Sequence, residues 1–267
     1  MRVLIICLSL IFSSHTLACS QPITINYAPF VSPLVVTKFF GEFHQQLEQA
    51  SGCSVSYTIQ RDFEEFVMAL FRREYTLAVV PGPYFNVLKQ LDYSAVASQI
   101  INGPRKAYVI ARKKENIFNM NDLAGRKVLV NSPLSASGSV FLEAARNLDL
   151  LKKMEIQHRN SYDNMMMSVL KGGWDAAVII TEYWYSLDER IRQNHLRIVE
   201  ELEANVSTEF VILKERVSLA PMVYKALQSS NIEWGKPNSQ ATGPEHLEIL
   251  LHAKLKEFQQ GQVIALP

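Results

Sequence analysis

Apolar positions along this chain change their spacing in a regular order, and that order predicts a layered α/β fold. Pro22–Tyr27 alternates apolar and polar residues as a half-buried strand does, and Ala28–Pro33 turns out of it. From Leu34 to Ala50 the residues Val35, Val36, Phe39, Phe40, Phe43 and Leu47 recur at helical spacing, and Ser51-Gly52 closes the element. Cys53–Ile59 predicts a second strand. Asp62 then caps a helix carrying Phe63, Phe66, Val67, Leu70 and Phe71, and Leu77–Val80 predicts a third strand ending at the turn Pro81-Gly82-Pro83. Strands alternating with helices in this way build a parallel sheet with right-handed crossovers.

The alternation returns further on. Ser98–Ile101 and Ala107–Ala111 read as extended, and Ile117–Gly125 as a connector with a turn of helix. Val128–Val130 is a buried-type strand, Asn131–Ser135 a turn, and Val140, Phe141, Ala144, Ala145 and Leu148 recur at helical spacing. A shorter strand over Glu155–His158, a helix through Met165, Met166, Val169 and Leu170 closed by Gly172-Gly173, and a strand over Asp175–Ile180 complete the second set. Arg197–Val199 and Phe210–Lys214 are extended, and the latter ends in a cation as Tyr108–Arg112 does. Two such strands flanking the second set suit a chain that crosses into a second lobe and later crosses back. Helices over Ala220–Gln228 and Pro244–Gln259 then complete the first lobe.

The first residues change the compartment. Met1-Arg2, the apolar run Val3–Phe12 and the small-residue stretch ending at Ala18 have the order of a secretory signal peptide. Cleavage after Ala18 places Cys19 first, where it is either lipidated or paired with Cys53, since an oxidising compartment permits disulfides. The protein is therefore expected to be periplasmic or otherwise extracytoplasmic. A net charge of +1 with 20% charged residues gives no basic stripe for nucleic acid or a membrane surface, so a small-molecule partner is expected.

Candidate chemistry concentrates at strand ends, where open α/β sheets gather ligands. After the strand at Val128–Val130, Ser135, Ser137, Gly138 and Ser139 stand at a helix start. There the first amides lack intrahelical partners and the macrodipole favours an anion. Ser and Gly are also the ordinary residues of a plain N-cap, so both readings stand. Ser161 precedes the next helix in the same way. Tyr27, Tyr84 and Phe85, at two further strand ends, could wall a cleft or fold into the core. Catalytic signatures are missing: there is no Gly-x-Ser-x-Gly and no His-Glu-x-x-His, and the histidines show no metal-ligand spacing. No enzyme activity and no cofactor are expected.

Taken in order, several segments resemble the phosphate/phosphonate-binding type of periplasmic substrate-binding protein that serves ABC transporters. Leu77–Pro83 resembles that family's strand followed by Gly-Pro. Ile110–Gly125 with Arg126-Lys127-Val128 resembles its approach to Asp-Leu-x-Gly-x-x-Val, and Ser132–Gly138 resembles Asp-Pro-x-Ser-Thr-Ser-Gly. Ser161–Asn164 followed by Val169–Val178 resembles Ser-His-Asp and Leu-x-x-Gly-x-x-Asp-Ala. The resemblance implies a two-lobed type II fold, each lobe a mixed sheet flanked by helices, joined by a two-strand hinge and closing on a ligand. The expected division is a signal peptide at 1–18, one lobe from 19–104 plus 208–267, and another at 105–207. It also implies that Ser135, Ser137, the amide of Gly138 and Ser161 hold the oxygens of a phosphate, phosphite or phosphonate-like anion. Tyr27, Tyr84 and Arg105 are expected on the opposite wall. Ala136 and Ser132 depart from the motif, and Arg105 stands where the family often has Tyr. It reads either as a bidentate anion contact, which suits a carboxylate or another oxyanion, or as a solvated hinge residue. The expected partner is an ABC permease or a membrane sensor, and the expected state is a monomer.

Overall fold

The computed structural model describes residues 21–29, 33–100, 103–237 and 241–261; the expected signal peptide and Cys19 lie outside the described residues. Cys53 is buried and disulfide-bonded. In the first lobe β1 (Ile23–Tyr27), α1 (Pro33–Ser51), β2 (Val55–Ile59), α2 (Phe63–Phe71) and β3 (Leu77–Pro81) follow the order that the apolar spacing predicts. The chain continues through α3 (Gly82–Leu88) and β4 (Tyr93–Gln99). The second lobe holds β5 (Lys106–Arg112), β6 (Lys127–Val130), α4 (Ala136–Asn147), β7 (Glu155–His158), α5 (Tyr162–Leu170) and β8 (Ala176–Ile180). It ends with α6 (Thr181–Ser186), α7 (Glu189–His195) and β9 (Leu196–Glu203). The chain then returns to the first lobe as β10 (Thr208–Leu213), α8 (Ala220–Leu227), β11 (Trp234–Gly235) and α9 (Glu245–Gln259).

Two mixed sheets result, in the orders β11-β4-β10-β3-β1-β2 and β7-β6-β8-β5-β9. Parallel pairs β1–β2, β1–β3, β6–β7 and β6–β8 form their βαβ halves, while β10 and β5 pair antiparallel with their neighbours. Alternation sorts the strand residues onto two faces. In the first sheet Ile23, Ile25 and Tyr27 face α1 and α8, and Ala78, Val80 and Val211 face α2, α3 and α9. In the second, Val109, Val128 and Val130 face α4, and Tyr108, Leu129 and Ile179 face α5. Met165 and Met166 sit in that last cluster as core.

Several elements differ from the sequence-based expectation. Pro81-Gly82-Pro83 opens a helix and is not a simple turn, because proline's fixed φ suits a first helical turn and Tyr84, Phe85, Val87 and Leu88 all bury. β4 runs from Tyr93, well ahead of the expected start at Ser98. β9 extends to Glu203 along the edge of its sheet, where Glu200, Glu201 and Glu203 break the apolar pattern as charges on an edge strand do. Tyr183-Trp184-Tyr185 lies in α6, a helix with too few residues for periodicity to register.

The lobes meet where the loop after β6 enters the first lobe. Leu134 is fully buried in the cluster that includes Phe66, Tyr84 and Leu247, and Ala136 packs against it. The Tyr84 hydroxyl donates to the Leu134 carbonyl at 2.6 Å, and Asn160 Nδ2 donates to the Arg61 carbonyl at 3.1 Å. Leu134→Ala is expected to lower stability by about 2–5 kcal/mol in urea denaturation, as for other buried leucines. It is also expected to enlarge the solution radius of gyration; unchanged values for both would remove the loop from the core.

Tyr27 and His44 supply a pH dependence. The Tyr27 hydroxyl stands 3.0 Å from His44 Nε2, and burial lowers the His44 pKa to about 4. Burial, and then Tyr57, raise the Tyr27 pKa, so Tyr27 is the donor and His44 the neutral acceptor. Because the folded pKa lies below the ordinary 6.5, the unfolded chain takes up the proton first as pH falls. Stability is therefore full above pH 6.5 and is lost towards pH 4. His44→Gln is expected to flatten that part of the melting-temperature profile.

Candidate functional site

The carboxyl end of β6 lies between β7 and β8, so the residues that follow it stand at the middle of the second lobe's parallel strands. Asn131 turns the chain there. Its Oδ1 accepts from the Ser132 amide at 2.7 Å, and its carbonyl accepts from His158 Nδ1 at 3.0 Å. Ser135 then caps α4: its Oγ accepts from the Gly138 amide at 3.0 Å and donates to the Ser132 carbonyl at 2.7 Å. A Cβ on Gly138 would stand 2.2 Å from that same carbonyl, so only glycine lets the loop fold back over the helix start.

Ser137 and Tyr162 carry the convergence. Ser137 Oγ lies 3.0 Å from the Tyr162 hydroxyl, and both side chains are buried. The Tyr162 side chain, from the first turn of α5, therefore reaches the first turn of α4. Burial raises the Tyr162 phenol above its ordinary range, so it is a neutral donor there. Its ring tilts against Tyr183 at a centroid distance of 5.2 Å, and Tyr183 in turn donates to Asp163 at 2.6 Å. Ser161 is the N-cap of α5 and accepts from the Asn164 amide at 3.3 Å.

The expected residues are thus distributed unequally. Ser135, Ser137 and Gly138 gather at the start of α4, Ser161 stands one residue before the tyrosine that touches Ser137, and Tyr84 reaches the same loop from the first lobe. The Gly138 amide is taken by Ser135 and does not face the cleft, because the cap needs it. Tyr27 is a correction: its side chain packs in the α1 core against Phe40 and spends its hydroxyl on His44, because its position in β1 faces that side. Arg105 stands at the crossover between the lobes.

Its guanidinium donates to Thr208 Oγ1 at 2.5 Å and Gln99 Oε1 at 2.7 Å, and it pairs with Glu182 at 2.7 Å. Its carbonyl accepts from the amides of Ala204 and Asn205, so Arg105 ties the two crossover segments together. Burial lowers its pKa and Glu182 opposes that shift. Arg105 itself lines a depression of about 540 Å³, with Ser98, Gln99, Ser207, Lys236 and Thr242 among others. Tyr162 was not singled out from the sequence. The sign that could have found it is its place directly after Ser161 at a helix start.

Among the described residues no group of His, Cys, Asp and Glu is placed to hold a metal ion, and no helix is long and apolar enough to cross a membrane.

Solved structures share this architecture. PhnD1 from Prochlorococcus marinus in complex with methylphosphonate is 14% identical, with a TM-score of 0.67 over 90% of this chain and 98% of that one. A binding-protein component of an ABC phosphonate transporter from Pseudomonas aeruginosa is 16% identical, with a TM-score of 0.63 over 90% and 87%. The periplasmic aliphatic sulphonate-binding protein SsuA from Escherichia coli is 14% identical, with a TM-score of 0.53 over 90% and 92%. No curated protein sequence matches. At these identities the likeness shows the two-lobed fold, and the family follows from the sequence itself. The model of the phosphonate-binding periplasmic substrate-binding proteins of ABC transporters matches residues 25–260, and the chain belongs to that family.

Proposed function

We propose that this chain captures a small tetrahedral oxyanion of the phosphonate class where α4 and α5 begin, and hands it to an ABC permease without chemical change. The observation that carries the reading is the buried Ser137–Tyr162 contact at 3.0 Å, in which a side chain from the first turn of α5 touches one from the first turn of α4. Two linked hydroxyls cannot both donate inward: when one donates to its partner, the partner's proton is left for another acceptor. Helix-start amides and dipoles supply the remaining favourable potential.

Delivery and not catalysis is the reading because, among the described residues, Ser135 and Ser137 hydrogen-bond to backbone, to each other and to Tyr162 and to no histidine or carboxylate. Closure follows from the Leu134 and Tyr84 contacts, which join the anion loop to the first lobe only when the lobes are together. A ligand that binds this arrangement better than the open one shifts the population towards it. The active species is a monomer, delivered to the periplasm by the segment at 1–18.

Thermal shift against methylphosphonate, phosphite, phosphate and sulfate tests the reading. A ligand at about a hundred times its Kd adds ~2.7 kcal/mol. That is a rise of several degrees at roughly 2–4 °C per kcal/mol. Ser137→Ala is expected to weaken the response. No shift with any of the four would reduce the serines to caps.

A further inference from the structure

The hydroxyls at the start of α4 are shut away from solvent: Ser135, Ser137 and Tyr162 are 3%, 1% and 4% exposed. The residue directly before them, Leu134, is fully buried in the other lobe, in the cluster that holds Phe63 and Phe66 of α2, Tyr84 of α3 and Leu247 of α9. Its carbonyl accepts from the Tyr84 hydroxyl at 2.6 Å, and a second bridge between the lobes runs from Asn160 Nδ2 to the Arg61 carbonyl at 3.1 Å. Within the second lobe the loop is braced. The Leu134 amide donates to Ser132 Oγ at 3.1 Å, and the Ser135 amide donates to the Ser132 carbonyl at 2.8 Å. Leu134 therefore travels with α4, and parting the lobes pulls it out of the first lobe's core. None of these contacts needs an anion: they consist of apolar side chains and of donors already matched to backbone carbonyls. Contacts that leave the ligand out favour the closed arrangement equally with and without it.

We infer that Leu134 is a ligand-independent latch: it holds the lobes together before an anion arrives, and an anion enters or leaves only while Leu134 is withdrawn. This rests on the oxyanion reading and adds to it how the site is gated. The latch stabilises the unliganded and the liganded closed states alike. Weakening it raises the open fraction of both, so entry and release accelerate by the same factor and their ratio, the Kd, is unchanged. A residue that touches the anion behaves otherwise, because its loss falls mainly on release.

Leu134→Val shortens the side chain within its socket. Release of methylphosphonate, read by phosphorus NMR exchange, and association, obtained from that rate and the calorimetric Kd, are both expected to quicken about three- to tenfold, the factor that one buried methylene is worth. Release that quickens while association keeps its wild-type rate overturns the inference and leaves the oxyanion reading in place, and so do two unchanged rates. Failure of the wild-type protein to bind methylphosphonate, phosphite, phosphate or sulfate overturns both. Should the variant not fold, small-angle X-ray scattering of the wild-type protein decides. Its radius of gyration is expected to be the same before and after saturation with methylphosphonate, and a contraction on adding the ligand overturns the inference.

Discussion

The seating of Leu134 in the first lobe's core constrains everything around it. The loop from Asn131 to Ser135 has to start a helix in one lobe and fill a hydrophobic gap in the other. Gly138 is required because the loop folds back until its carbonyls lie against the helix. Tyr84 fixes the loop from outside by accepting no alternative: its buried hydroxyl has the Leu134 carbonyl as its partner, and burial and the charge of Glu64 both keep the phenol neutral. A single apolar side chain thereby connects the packing of the two lobes to the position of the serines, and the connection is made by packing, which responds to small displacements.

Electrostatics at the site come from dipoles more than from side-chain charges. Among the described residues, three buried or partly buried cations have carboxylate partners of their own. Arg105 is held by Glu182 and the crossover segments, Lys254 by Glu64, and Arg112 by Glu115. What remains at the start of α4 is a set of oriented N–H and O–H groups fixed by the fold. Under the proposed reading such groups need little rearrangement when an anion enters, which is the advantage of a preorganised site. Burial keeps Tyr162 protonated, so the hydroxyl pair retains one proton for a further acceptor.

Much of the architecture was legible in the chain because it depends on local spacing. Periodicity of about two and of 3.6 located β1, α1, β2, α2, β3, β6, α4 and β8, and those elements build both parallel halves. Short elements escaped: α3 begins with residues that also read as a turn, α6 has six residues, and β9 alternates poorly because its outward positions are acidic. The serine motif placed Ser135, Ser137, Gly138 and Ser161 at helix starts, and capping chemistry alone justified that. Tyr27 went astray because residues at the end of a strand point to either face, and the face is set by the register with β2 and β3.

By itself the sequence determined the order of elements, the two crossings between lobes, the family, and the helix starts that an anion could use. All of these follow from short-range pattern, since the chemistry of a cap or a strand lies within a few consecutive residues. Only the tertiary structure decided that Tyr162 meets Ser137, that Arg105 is bonded to Thr208 and Glu182 at the crossover, and that Leu134 crosses between lobes. The hydrogen bonds from Tyr162 to Ser137 and from Arg105 to Thr208 join residues 25 and 103 positions apart. Contacts of that kind are settled by packing in three dimensions, and no spacing along the chain records them.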